Sequence, residues 1–267
     1  MKRIFTLLLT IVLTVALLGC GDQETPVLWV AMSPDFPPME FVVRSPDGGE
    51  QILGFDVSLA TYLAEGMGME LKIVPMDFEE CQDAVEKGQV DLAISGFSWL
   101  PQREERFNLS VPYHASDNTA NQVLLTASEN ASRFTEPENL TGVKIGAQRA
   151  SLQEWLISQQ LPDAYSIPFD ELQQGIEMLL SGQIDALAVA EGNADAILSR
   201  NPGLSKAEFR FLLTQEMSDH LILIKKDNDS LTEKVNALLA RAEAEGLYPK
   251  WYAQALEQAG LTPDHNH

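Results

Sequence analysis

The chain has 267 residues, 39 Asp plus Glu against 18 Lys plus Arg, a net charge of −21, 45% apolar residues, two Cys and four His. The apolar share argues against disorder, and the length allows one large or two modest domains. The acidic balance argues against nucleic acid or anionic lipid as partners, and scattered histidines without a CxxC pattern argue against a Cys/His metal site; no metal and no cofactor are expected.

At the N-terminus, Met1-Lys2-Arg3 precedes an uncharged apolar stretch from Ile4 to Gly19, the pattern of an export signal. The stretch closes with Leu17-Leu18-Gly19-Cys20, which resembles the bacterial lipobox. That resemblance implies a signal peptide over 1–19, cleavage before Cys20 and lipidation of the new terminal Cys20. Residues 20–26 then form a polar tether. Loss of Lys2 and Arg3 takes the net charge from −21 to −23. Cys81 is the other thiol, so a disulfide within the lipidated chain is not expected.

Short apolar runs predict strands over 27–32, 70–75, 90–95, 121–126, 143–147, 164–168, 185–190, 209–213 and 220–225, with helices between them. Asp56 reads as the cap of a helix that carries Leu59, Ala60, Leu63 and Ala64 on one face. Ser151-Leu152-Gln153-Glu154 and Ser230-Leu231-Thr232-Glu233 read as capping boxes, and Gly246 as the stop of the helix opened by the second. One unit occurs twice: Gly88-Gln89-Val90-Asp91 and Gly182-Gln183-Ile184-Asp185 each lead from a helix-like stretch into an apolar strand. The spacing suits two α/β lobes, each with a largely parallel sheet flanked by helices.

Ligands of such sheets bind beyond the carboxyl ends of the strands. Three loops lie there. The first, Ser95 to Arg103, offers Gly96 for close backbone approach, the Ser98 hydroxyl, and Arg103, whose planar fork suits a carboxylate. An ion pair of Arg103 with Glu104 or Glu105 is the competing reading. The second, Gly146 to Ser151, ends at a helix N-terminus that attracts anions, although Ser151 caps that helix in either case. The third places Glu191 directly after a buried strand, where it acts either as the partner of an ammonium group or as an ordinary acid near a helix start. Together they describe a clamp for a zwitterion.

These stretches, with Ser33-Pro34-Asp35-Phe36-Pro37-Pro38-Met39-Glu40-Phe41, Leu53-Gly54-Phe55-Asp56, Pro75-Met76-Asp77-Phe78, Asn139 to Gly146 and Gly246-Leu247-Tyr248-Pro249-Lys250-Trp251, resemble the type II extracytoplasmic solute-binding proteins of amino-acid ABC importers. The resemblance covers the chain after Cys20 in order. It implies that Phe36 and Phe78 sandwich the ligand and that Gly96 and Ser98 bind its amino group and carboxylate. It further implies that Arg103 anchors the carboxylate, Gln148 touches the ligand side chain, Ser151 adds a donor and Glu191 takes the ammonium. Three departures stand out: Ser33 where many members have Asp, Ala150-Ser151-Leu152 in place of a smaller Gly/Thr/Ser pattern, and Glu191 in place of Asp.

The family fold implies a first lobe of residues 27–114 plus 217–267 and a second of 115–216, with hinge crossings near 113–116 and 213–218. The expected protein is a monomeric, lipid-anchored extracytoplasmic receptor that presents an amino acid to an ABC permease, and is not an enzyme. Two alternatives remain: a dehydratase on the same scaffold, similar to the cyclohexadienyl dehydratases and using Glu191 as general acid, or a ligand-presenting partner of a membrane sensor. The terminal His265 and His267 read as a tail rather than a metal site.

Overall fold

The computed structural model describes residues 25–45, 47–113 and 121–261. The export signal, Cys20, the start of the tether, most of the first hinge crossing and the His265/His267 tail lie outside them.

The elements in chain order are β1 (Val27–Met32), β2 (Asp35–Phe36), β3 (Glu40–Arg44), β4 (Glu50–Leu53), α1 (Phe55–Met67), β5 (Glu70–Pro75), α2 (Phe78–Glu86), β6 (Leu92–Ser98), α3 (Pro101–Arg106) and β7 (Phe107–Leu109). There follow β8 (Gln122–Ala127), β9 (Lys144–Gln148), α4 (Leu152–Gln160), β10 (Tyr165–Phe169), α5 (Leu172–Leu180), β11 (Ala186–Ala190), α6 (Glu191–Arg200) and β12 (Leu204–Arg210). The described chain closes with β13 (His220–Lys225), α7 (Asp229–Ala244) and α8 (Leu247–Gln258).

The strands form two five-stranded sheets of matching design, β5-β1-β6-β13-β7 and β10-β9-β11-β8-β12, and a small sheet β2-β3-β4. In each large sheet four strands run one way and one runs against them, β13 in the first and β8 in the second. The reversed strands are those that open each stretch of chain after a crossing between sheets. Helices cover both faces of both sheets. In the first, Leu59, Leu63 and Leu239 pack on one face with Val30 and Ile222, while Cys81 and Val85 pack on the other with Ala31 and Leu223. Burial on two faces explains the near-continuous apolar runs.

The repeated unit has one structural job in both lobes. Gly88 and Gly182, at φ 69° and 72°, adopt the left-handed conformation that ends the preceding helix. Asp91 and Asp185 then accept the backbone N–H of Trp29 at 2.9 Å and of Lys144 at 2.8 Å, tying the start of one strand to its neighbour.

Several local expectations need correction. The strand expected at 209–213 is β12, ending at Arg210; Leu212 is 79% exposed, because the chain has left the sheet there. The strand expected at 90–95 runs on to Ser98, since β13 pairs His220 with Ser98. Asp56 caps nothing: Gly54 holds the N-cap of α1 and the Asp56 carboxylate turns inward. Asn228, not Ser230, caps α7, accepting the Leu231 N–H at 3.3 Å. The Glu154 carboxylate reaches the Ala150 N–H at 2.7 Å rather than that of Ser151.

Candidate functional site

The carboxyl ends of β6 and β9 face each other across a small cavity of about 50 Å³. Lobe-to-lobe contacts close over it, so it is far smaller than the roughly 300 Å³ or more of an open small-molecule site. Of the eight ligand-binding residues expected from sequence, Phe36, Phe78, Gly96, Ser98, Arg103, Gln148 and Ser151 line this one cavity.

Arg103 is 1% exposed. Its Nη1 donates to the Ser98 carbonyl at 2.6 Å, its Nη2 to the Ala150 carbonyl of the other lobe at 2.7 Å, and its Nε to Gln82 Oε1 at 3.3 Å. Phe78 and Phe97 stack at 4.5 Å and support the guanidinium at 5.5 and 5.2 Å from their ring centres. Phe78 thus supports Arg103 as well as bordering the cavity. Burial, and secondly the charge of Arg106, pull Arg103 down to about 9, which leaves it cationic at neutral pH. Among the described residues, Arg103 forms no ion pair with a carboxylate, so the expected alternative pairing with Glu104 or Glu105 is not formed. A buried cation held only by neutral acceptors and aromatic faces is a strong receptor for an anionic group.

Gly96 has a φ of 57°, and a Cβ there would stand 2.9 Å from Phe36 Cε1. Its backbone can approach a ligand because no side chain intervenes. Ser151 caps α4, its Oγ accepting the Glu154 N–H at 3.1 Å, and Leu152 and Gln153 also reach the cavity. Gln148 donates from Nε2 to Asp35 Oδ2 at 3.1 Å and to the Asp170 carbonyl at 2.9 Å.

Glu191 is the exception. Its carboxylate accepts from Lys206 Nζ and Asn121 Nδ2, each at 2.8 Å, and Ala190 rather than Glu191 lines the cavity. Lys206, first, and Asn121 hold its carboxyl below the ordinary range. An acid held ionised by a lysine has no proton to give at neutral pH, which removes the basis for the general-acid alternative. Glu191→Gln is accordingly expected to leave ligand affinity within about threefold of wild type, a difference of under ~1 kcal/mol. Calorimetry showing a loss of tenfold or more would put Glu191 back in the site.

Glu40 lines the cavity and Asp56 lies behind it, two acids that sequence reasoning did not place at the site. Glu40, 1% exposed, accepts from the Ser95 hydroxyl at 2.5 Å, and Ser95 Oγ in turn accepts the Ser33 N–H at 2.9 Å. Asp56, fully buried, accepts the Gly96 N–H at 3.0 Å and the Tyr113 hydroxyl at 3.0 Å. The signal for both was an acid inside an apolar run, Met39-Glu40-Phe41 and Phe55-Asp56-Val57. Burial pushes Asp56 up to about 6; burial and the neighbouring Asp56 charge push Glu40 well above the usual carboxylate range. Acids raised on folding contribute stability below their unfolded values near ~4, and that contribution is lost as pH climbs through the folded values. Glu40→Gln keeps a polar group and removes one titration. From pH 4 to pH 7 its stability should therefore rise relative to wild type by on the order of 1 kcal/mol in urea unfolding. Parallel pH profiles for the two proteins would contradict this.

Two lobes closing on a buried cation define a solute-binding protein. The chain belongs to the bacterial extracellular solute-binding proteins, family 3, whose model matches residues 28–258. It is 28% identical over 265 residues to the arginine-binding extracellular protein ArtP of Bacillus subtilis (strain 168), across 94% of this chain and 98% of that protein. Among solved structures it is similar to the amino acid ABC transporter substrate-binding protein AbpA of Streptococcus pneumoniae, bound to L-arginine. The TM-score is 0.78 and the identity 32%, over 86% of this chain and 94% of that one. An ancestral arginine-binding protein bound to arginine gives a TM-score of 0.75 at 27% identity, over 87% and 99% of the two chains.

Proposed function

We propose that this protein captures an amino acid, with L-arginine as the first candidate, between its lobes and presents it to the permease of an ABC importer. The observation that carries the reading is the Arg103 guanidinium, buried in the cleft with no carboxylate partner among the described residues, as a zwitterion's carboxylate requires. Arginine is favoured by the relatives named above and by the acid Glu40 beside Phe36 on the same wall. With Glu191 turned away, the ammonium is left to the oxygen-rich floor around Ser95, Gly96 and Ser98. The lobes, divided at about 114–115 and 216–217, separate to admit the ligand and close on it by hinge motion. The binding role leaves no catalytic residue to assign.

A thermal-shift screen of the twenty amino acids tests this reading. L-Arginine at about 100 times its Kd should stabilise the protein by ~2.7 kcal/mol, with glutamine as the informative second ligand. No shift with any amino acid would defeat the proposal.

No helix among the described residues is long and apolar enough to cross a membrane. The basic and apolar leader ending in Leu-Leu-Gly-Cys supports attachment through a lipid on Cys20. Labelling by radioactive palmitate that survives in Cys20→Ser would rule that out.

A further inference from the structure

We infer that Asp35 is a positioning residue that latches the two lobes together through protein groups alone and so sets ligand affinity from outside the ligand's own contacts. Asp35 lies on β2 of the small sheet in the first lobe. Its Oδ2 accepts two donors from the second lobe: the Leu172 N–H, first amide of α5, at 2.7 Å and Gln148 Nε2 at 3.1 Å. Its Oδ1 accepts the Ser33 hydroxyl at 3.2 Å, which orients the carboxylate from its own lobe. One oxygen thus bridges residues 113 and 137 positions away in sequence. The partial positive charge at the start of α5 favours this anion.

Other direct bonds between lobes, away from the crossings, run from Gln82 and Arg103 to the Ala150 carbonyl, and from Arg149 to Glu79 at 3.4 Å. Of these, the Arg103 bond uses the fork that a ligand carboxylate needs, so ligand and Ala150 compete for it. The Asp35 bonds carry no such competition. They form whenever the lobes close, fix the Gln148 amide with its nitrogen toward Asp35, and raise the closed fraction on which apparent affinity depends.

The inference rests on the proposed amino-acid binding for its affinity arm and not for its structural arm. Small-angle X-ray scattering of the protein without added ligand should show a larger radius of gyration in Asp35→Ala than in wild type. Asp35→Asn should stay near wild type, because its amide oxygen can accept the same two donors. Saturating L-arginine should bring Asp35→Ala back to the wild-type radius, with a Kd about tenfold weaker by calorimetry, while Asp35→Asn stays within about threefold. Circular dichroism melts confirm that the compared variants are folded. An unchanged radius in Asp35→Ala overturns the latch, and so does a weaker Kd without a change in radius, which would mark a direct ligand contact. If L-arginine binds none of the proteins, wild type included, the proposed ligand fails while the scattering comparison still decides the latch.

Discussion

Arg103→Ala is expected to weaken L-arginine binding by about 150-fold or more in calorimetry, a loss of about 3–5 kcal/mol. The size follows from burial: at 1% exposure the guanidinium meets its partner away from water, and no second arginine or lysine is among the cavity-lining residues. Arg103→Lys should fall between, because a point charge on a flexible stem cannot present two parallel donors. The exposed Lys225 is the control, and Lys225→Ala should change affinity by less than about twofold. Melting curves are needed beside the calorimetry, since losing Arg103 also removes a buried donor from the Ser98 and Ala150 carbonyls. Unchanged affinity in folded Arg103→Ala would remove the carboxylate anchor from the proposed site.

The second large effect is expected at Asp56, and it is one of stability. Asp56→Ala strips an acceptor from the Gly96 N–H and the Tyr113 hydroxyl in a region closed to water. Each buried donor left unsatisfied costs about 1–3 kcal/mol. A total near ~3 kcal/mol corresponds to a fall of roughly 6–12 °C in Tm for a protein of this size. Asp56→Asn keeps one acceptor and should lose less than half of that. The Ala variant should also bind ligand more weakly, because Gly96 is held in its left-handed conformation from below by this carboxylate. A melting temperature within about 2 °C of wild type would mean that the floor rearranges at little cost.

The site was legible in sequence to an uneven degree. Seven expected residues lie on one cavity: the loops carrying Gly96, Ser98, Arg103 and Ser151 follow from local pattern, whereas Phe36, Phe78 and Gln148 were implied by the family resemblance alone. Glu191 does follow a buried strand directly, as expected, and is the first residue of α6. Its partner was not readable, because Lys206 lies 15 positions on and meets it only through the pairing of β12 with β8 beside β11. Asp35, Glu40 and Asp56 were visible as acids in apolar surroundings. Whether such an acid faces solvent, a ligand or another acid depends on what the fold brings over it.

What the sequence by itself determined is the doubled α/β unit. Apolar runs and glycine stops depend on neighbours within a few residues, so their outcome is written in local pattern. Only the tertiary structure decided the chemistry at the cleft: Arg103 reaching the Ala150 carbonyl and Asp35 reaching α5 between the lobes, and Glu191 turned to Lys206 within the second. Those contacts join residues from 15 to 137 positions apart, on different elements. Their geometry is set by sheet register and by how two separately folded lobes meet, and neither leaves a periodic signature in the residues concerned.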